Sequence, residues 1–308
     1  MSHLQAVSLM VLVTLMWSIA GVVTRHLDAA ASFEVTFWRS TFNGLALATT
    51  LTILRGPALW RQLVKAPSVI WVSGVCWSIM FTAFMVAMTL TTVANVLIVM
   101  ATGPLVTALI ARLFLRHTLP PATWLAIAAA GLGIFWMFLE RGDGSLSLVG
   151  SLVALSVPLA AAVNFTVMQR VGMERVKSSV AGGVPVQDML PAVLVGAVLS
   201  SLVTLPLSLP FQASGHDIGL LALLGIFQLA VPCLLVVRLT RELTAPEISL
   251  LSLLEVIFGV AWAWLWAGEQ LSVHTLQGGL LVIAALVANE MARIARRRKA
   301  LQNLEVML

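Results

Sequence analysis

Two oppositely charged side chains, Arg39 and Glu255, lie deep inside long apolar segments, where a charge is costly and normally functional or paired. A guanidinium stays charged and can hold a carboxylate through two parallel N–H donors. A carboxylate at that depth either takes up a proton or finds a cation. The pair could therefore bind a zwitterion, Glu255 could carry a coupling proton, or the two could form a permanent ion pair with each other.

Uncharged polar and aromatic residues add to this set of candidates. Asn43, Gln228 and Glu255 each occupy the eleventh position of an apolar segment, near its middle. Interhelical hydrogen bonding explains the two amides as well as ligand contact does. Trp17 and Trp77 also lie well inside their segments, where an indole either packs or offers a ligand a flat wall with one N–H donor.

The composition excludes a soluble protein. Of 308 residues, 60% are hydrophobic and only 10% are charged, against about 25% charged in soluble domains. The five histidines lie at segment ends or in loops, and neither a metalloprotease nor a Walker motif is present, so we expect no enzyme, metal or cofactor. Cys76 and Cys233 lie within apolar segments and do not suggest a disulfide or zinc site.

Apolar segments long enough to cross a bilayer dominate the chain, since crossing takes about 20 helical residues. Nothing charged separates Ser68 from Arg112, and a single helix of that length would reach about 65 Å, so a turn is expected at Thr89–Asn95. Ten segments are predicted to span the membrane: 4–24, 33–54, 68–90, 92–113, 120–139, 147–168, 189–209, 218–237, 245–267 and 272–291.

Loop charges orient these segments. With the N-terminus in the cytoplasm, 15 of the 18 Lys and Arg residues lie on the cytoplasmic side, and only Arg25 and Arg141 lie outside. The first segment is expected to be an uncleaved helix, and an even number of crossings brings the C-terminus back to the cytoplasm. We interpret the net charge of +5 as charge that orients the protein in the membrane, and the basic tail 293–308 as an anchor that contacts anionic lipid and not nucleic acid.

The two halves of the chain resemble each other. Residues 94–104 can be laid over 245–255, and the same offset of 151 places Gly74 on Gly225 and Trp77 on Gln228. Basic loops follow the second and fourth segments of the first half but the first and third of the second half, so the halves cross the membrane in opposite senses. Such inverted repeats are typical of secondary transporters, which bind substrate near the midplane.

These features resemble the EamA-type members of the drug/metabolite transporter superfamily over residues 4–292, and among them the YddG-type amino-acid exporters most. The resemblance rests on Trp17, Arg25, Phe37, Trp38, Arg39, residues 94–104 and the Gly-Glu-Gln-Leu motif at 268–271. The first half departs from the pattern, because Arg116 and His117 stand where a Gly-Glu pair would be expected.

The resemblance implies an all-α integral membrane protein with ten transmembrane helices, arranged as two inverted five-helix repeats around a central cavity. We place the repeats at 1–141 and 142–292, before the tail 293–308. It also implies a bacterial inner-membrane protein that exports aromatic and other neutral amino acids, or related small metabolites, by alternating access.

The expected partners are a small-molecule substrate and the lipid bilayer, and the oligomeric state is left open. The expected substrate-binding residues are Trp17, Arg39, Asn43, Trp77, Gln228 and Glu255. The alternatives are a multidrug or organic-cation exporter, in which Glu255 and the tryptophans would hold a cation, and a membrane sensor or scaffold that transports nothing.

Overall fold

The protein is all-helical in the part of the chain that the computed structural model describes: residues 1–30, 32–91, 93–116, 119–138, 147–180, 188–267 and 273–307. A π-helical turn, Leu224–Ala230, interrupts the eighth predicted segment. The α-helices are α1 (His3–Ser18), α2 (Ala20–Thr24), α3 (Ser32–Arg55), α4 (Ala58–Val64), α5 (Ser68–Leu90), α6 (Val93–Met100), α7 (Gly103–Leu115), α8 (Pro121–Phe138), α9 (Leu148–Val180), α10 (Leu190–Ser208), α11 (Gly215–Leu223), α12 (Val231–Leu239), α13 (Ala245–Ser252), α14 (Leu254–Ala267) and α15 (Val273–Met307).

Eight helical stretches among the described residues are long and apolar enough to cross a membrane. Two predicted crossings are not among them: α8, whose apolar part is Pro121–Met137, and α3, which carries Glu34 and Arg39. Both of those side chains of α3 are buried within the protein, where a polar residue need not face lipid. Ten crossings therefore remain a prediction, whereas the turn after α5 lies where the sequence predicts it.

Several predicted segments differ from single continuous helices. The first breaks at Ile19, the fourth at 101–102 and the ninth at Leu253, while α9 and α15 continue well beyond their predicted ends. The fourth and ninth break at matching repeat positions, since 101–102 corresponds to 252–253 at the offset of 151. Hydroxyl groups next to both breaks bond backbone carbonyls, Thr102 to Val99 at 2.7 Å and Ser252 to Ile248 at 2.8 Å, which favours bending.

The second predicted segments of the two halves form α3 and α10, which pack against each other and run antiparallel. Ser40 and Ser200 share a hydrogen bond of 2.9 Å between their hydroxyl groups. Towards the end of α3, Arg55 pairs with Asp188, which precedes α10. As the numbers rise along α3 they fall along α10, so these corresponding helices point in opposite directions.

The fifth predicted segments of the two halves, which form α8 and α15, also pack against each other and run antiparallel. The Thr123 hydroxyl donates to the Asn289 side chain at 3.0 Å, and the Trp136 indole donates to Gln277 at 3.1 Å. Between these contacts the two backbones approach closely, because a Cβ added to Gly133 would lie 2.8 Å from the carbonyl oxygen of Gly278. The antiparallel crossing therefore requires a glycine at position 133.

This crossing gives a stability prediction with a control in the same helix. Gly133→Ala is expected to lower the unfolding free energy by about 1–3 kcal/mol, because the new methyl group must push α8 and α15 apart. Gly131→Ala should change it little or raise it, since nothing lies within 4 Å of its added Cβ and alanine favours helix. Thermal unfolding of both variants in detergent tests this, and equal melting temperatures would contradict the close crossing.

Candidate functional site

A cavity lies between the two halves, where α1, α3, α5, α9, the π turn and the broken pairs α6–α7 and α13–α14 meet. Its empty volume is about 970 Å³, with the part open to solvent included. Five of the six predicted site residues line it: Trp17, Arg39, Trp77, Gln228 and Glu255.

Arg39 reaches the cavity from α3 and is held against α5. Its side chain is 2% exposed, and Nη2 donates a hydrogen bond to the carbonyl oxygen of Phe81 at 3.1 Å. Its Nε has no hydrogen-bond partner in the structure. Part of the guanidinium therefore serves the contact between α3 and α5, and part remains available to an anion.

Glu255 lies in the first turn of α14, directly after the break at Leu253, and is half-buried. Among the described residues it has no hydrogen-bond or ion-pair partner, and no contact of 4.0 Å or less joins its carboxylate to Arg39. The two side chains nevertheless line the same cavity. The structure thus does not contain the direct ion pair that the sequence left open.

Gln228 comes from the π turn and lies beside the end of α1. Its Nε2 donates to the carbonyl oxygen of Trp17 at 3.1 Å, while its Oε1 has no partner. A π turn inserts one residue into the helical repeat and is frequent at functional sites. The periodicity of the sequence does not reveal this turn, although Gln228 is polar within an apolar segment.

The cavity wall is mainly aromatic and aliphatic. Trp77 stacks on Phe81 with ring centroids 5.5 Å apart, and the indole N–H of Trp77 has no hydrogen-bond partner. Phe84, from the same helix, and Phe165, from α9, complete the aromatic surface. These three phenylalanines were not predicted, because an apolar residue in an apolar helix carries no signal of which face meets the cavity.

The remaining candidates lie elsewhere. Asn43 is fully buried where α3 packs on the π turn, next to Gly225, and does not line the cavity, so the structure separates it from the other five. Asn164, another buried amide, accepts a hydrogen bond from the Ser73 hydroxyl at 2.6 Å and connects α5 with α9. The motif at 268–271 and the residues at 117 and 141 lie outside the described residues.

Two groups of ionisable side chains outside the cavity have the composition of metal ligands: His3, Glu247 and Glu290, and Asp28, His216 and Asp217. Arg293 already pairs with Glu247, which disfavours a cation there. Asp217 accepts hydrogen bonds from the backbone N–H groups of Asp28 at 2.7 Å and of 29, 30 and 214. Both groups therefore act as connections between helix ends.

Comparisons with known proteins agree with this architecture. The sequence pattern of the EamA-like transporter family matches residues 4–139 and again residues 148–289. The pseudopaline exporter CntI of Pseudomonas aeruginosa, in strains UCBPP-PA14 and PAO1, is 23% identical over 286 residues, covering 92% of this chain and 94% of that protein. A protein of known crystal structure superposes with a TM-score of 0.77 at 15% identity, covering 94% of this chain and 99% of that one.

Proposed function

Because the chain belongs to the EamA-like transporter family, we propose that this multi-pass membrane protein exports a small zwitterionic metabolite, an amino acid or a close relative, from the cytoplasm. The observation that carries the proposal is the central cavity, in which Arg39 and Glu255 face the same space without pairing. A zwitterion can satisfy both charges, with its carboxylate at Arg39 and its ammonium at Glu255.

We propose that the membrane topology consists of ten crossings in two inverted five-helix repeats, with both termini in the cytoplasm of a bacterial cell. Two observations support it: the family pattern occurs twice along the chain, and corresponding helices run antiparallel where α3 meets α10 and α8 meets α15. The distribution of basic residues supports the orientation.

Alternating access would use the broken helices at the cavity. Met100 and Gly103 flank the break between α6 and α7, Ser252 and Leu253 mark the break between α13 and α14, and all four line the cavity. Discontinuous helices are the parts of secondary transporters that form the midplane site and move around it. We propose that these two breaks open the cavity to one side of the membrane at a time.

The aromatic wall favours substrates with an aromatic or aliphatic side chain, as in the YddG-type amino-acid exporters. The similarity to a pseudopaline exporter widens the range of solutes to be tested, and pseudopaline belongs among them. A second candidate function, export of an organic cation, is favoured by one observation: Glu255 shares its cavity with Trp17 and Trp77, whose rings attract cations.

Counterflow in proteoliposomes tests these functions. Vesicles loaded with unlabelled phenylalanine, threonine, methionine, pseudopaline or an organic cation are placed in the labelled solute, with and without a pH gradient. We expect labelled phenylalanine to accumulate transiently in vesicles that contain the protein and not in empty ones. Accumulation that does not respond to the pH gradient would indicate facilitated diffusion.

Two outcomes would contradict the proposal. Counterflow of the organic cation without that of any amino acid or pseudopaline would assign the second function. A complete absence of counterflow, in vesicles whose reconstituted protein has a normal melting temperature, would favour a membrane sensor or scaffold.

A further inference from the structure

The hydrogen-bonding groups of the cavity are divided between the two halves of the chain. Three buried polar atoms of cavity-lining residues have no partner: Arg39 Nε, Trp77 Nε1 and Gln228 Oε1. Their side chains are 2%, 1% and 4% exposed. Buried polar groups are nearly always hydrogen-bonded, so these three atoms, which belong to residues of one cavity, are available to a ligand there.

The two donors come from the first half and the acceptors from the second. Arg39 and Trp77 can only donate from the atoms in question, whereas Gln228 Oε1 and the Glu255 carboxylate can accept. Trp77 and Gln228 occupy matching positions of the repeat, at the offset of 151. The same position thus presents an N–H in one half and an oxygen in the other, and a ligand lying between them must differ in chemistry at its two ends.

The Gln228 side chain is already oriented. Because its Nε2 donates to the carbonyl oxygen of Trp17 at 3.1 Å, the amide cannot be reversed without losing that bond, and Oε1 remains as the acceptor. Trp17 lies just before the break at Ile19, and the π turn supplies Gln228. Two irregular backbone features therefore fix one acceptor at the cavity wall.

We propose that Gln228 is a specificity-determining residue that accepts a hydrogen bond from the cationic nitrogen of the substrate. The transporter then selects ammonium groups that carry N–H and rejects quaternary ones. Glu255 attracts either kind of cation by charge, but a trimethylammonium group would place methyl groups against Gln228 Oε1 and leave it unsatisfied. The inference rests on the proposed function, since it assumes that the cavity binds a zwitterion.

Counterflow of phenylalanine and of N,N,N-trimethylphenylalanine measures this selectivity. The unmodified protein is expected to prefer phenylalanine at least about tenfold, because a site built around a hydrogen bond strongly rejects analogues that lack it. In Gln228→Met, which has a similar volume but no amide, the preference should fall to within about twofold. Gln228→Glu keeps an oxygen acceptor while losing the N–H to Trp17, and should keep the preference.

Trp262→Phe is the matched control. The Trp262 indole donates to the Ser18 hydroxyl at 2.9 Å, so it also connects the second half to the break after α1, but Trp262 does not line the central cavity. This variant should change the counterflow of both solutes by the same factor. Thermal stabilisation of each purified protein by the two solutes provides a second readout that does not depend on flux.

Several results would overturn the proposal. One is equal counterflow of the two solutes by the unmodified protein. Another is a preference that persists in Gln228→Met, and a third is a preference lost in both Gln228 variants, which would mean that the bond to Trp17 decides it. No counterflow of any amino acid would instead contradict the proposed function itself.

Discussion

Arg39→Met is expected to reduce phenylalanine counterflow about 100-fold. Arg39 is a cationic side chain at the cavity, and a guanidinium holds a carboxylate through two charge-assisted hydrogen bonds. Hydrogen bonds to charged groups contribute about 1.5–3 kcal/mol each, and 1.4 kcal/mol corresponds to a factor of ten. Counterflow of phenylethylamine, which has no carboxylate, should change far less, so the preference for phenylalanine over phenylethylamine should disappear.

The ratio of the two solutes separates recognition from structure. Arg39 also holds the Phe81 carbonyl, and its loss could loosen the contact between α3 and α5. Such a structural effect would reduce both counterflows by the same factor and lower the melting temperature. Arg39→Lys keeps the charge but not the planar guanidinium. Its preference for phenylalanine over phenylethylamine should lie between that of the unmodified protein and that of Arg39→Met. An unchanged ratio in Arg39→Met would exclude Arg39 as the carboxylate site.

Glu255→Gln is expected to reduce phenylalanine counterflow by a similar factor, about 100-fold, because a neutral amide cannot compensate the ammonium charge in a poorly solvated cavity. Counterflow of 3-phenylpropionate, which has the carboxylate but no ammonium, should be much less affected. The substitution preserves the shape of the side chain, so the packing around Leu253 should survive. Counterflow of the two solutes in proteoliposomes provides the measurement.

Glu290→Gln serves as the control for this charge. Glu290 bonds His3 at 3.2 Å and lies outside the central cavity, so its neutralisation should leave phenylalanine counterflow within about twofold. Unmodified rates in Glu255→Gln would exclude a direct role of Glu255 in zwitterion transport. Loss of organic-cation counterflow alone would support the alternative exporter.

Several residues that line the cavity are expected from the sequence, because burying a polar side chain is costly. A charged or amide side chain inside an apolar helix needs a partner or a cavity, which directed attention to Arg39, Glu255 and Gln228. The same argument applied to Asn43, but it could not distinguish a side chain that lines a cavity from one that is buried in a packed helix contact. Asn43 lies one turn after Arg39 on α3, yet it is fully buried beside Gly225 of the π turn and does not line the cavity, and only the position of the neighbouring helix decides between these environments.

The sequence pattern did not predict the breaks in the helices, for a related reason. In the ninth segment the residues at the break, Ser252, Leu253 and Leu254, include neither Gly nor Pro, so the sequence pattern does not predict a break there. Glu255 and the wall residues Ser249 and Ser252 are brought to the cavity by that break. Their contacts depend on the packing of α13 and α14 against other helices, which local composition does not encode.

The sequence by itself determined the class of protein, because 60% hydrophobic residues in long segments can be stable only in a lipid environment with helices that satisfy their own backbone. It also indicated the repeat, which the two matches of the family pattern support, and it predicts the orientation of the loops. Only the tertiary structure decided that Arg39 and Glu255 do not pair, and that the buried atoms left without a partner at the cavity are N–H donors in the first half and an oxygen acceptor in the second. The physical reason is that hydropathy is a property of each segment by itself, whereas hydrogen-bond partners and cavity walls come from helices that are distant in sequence.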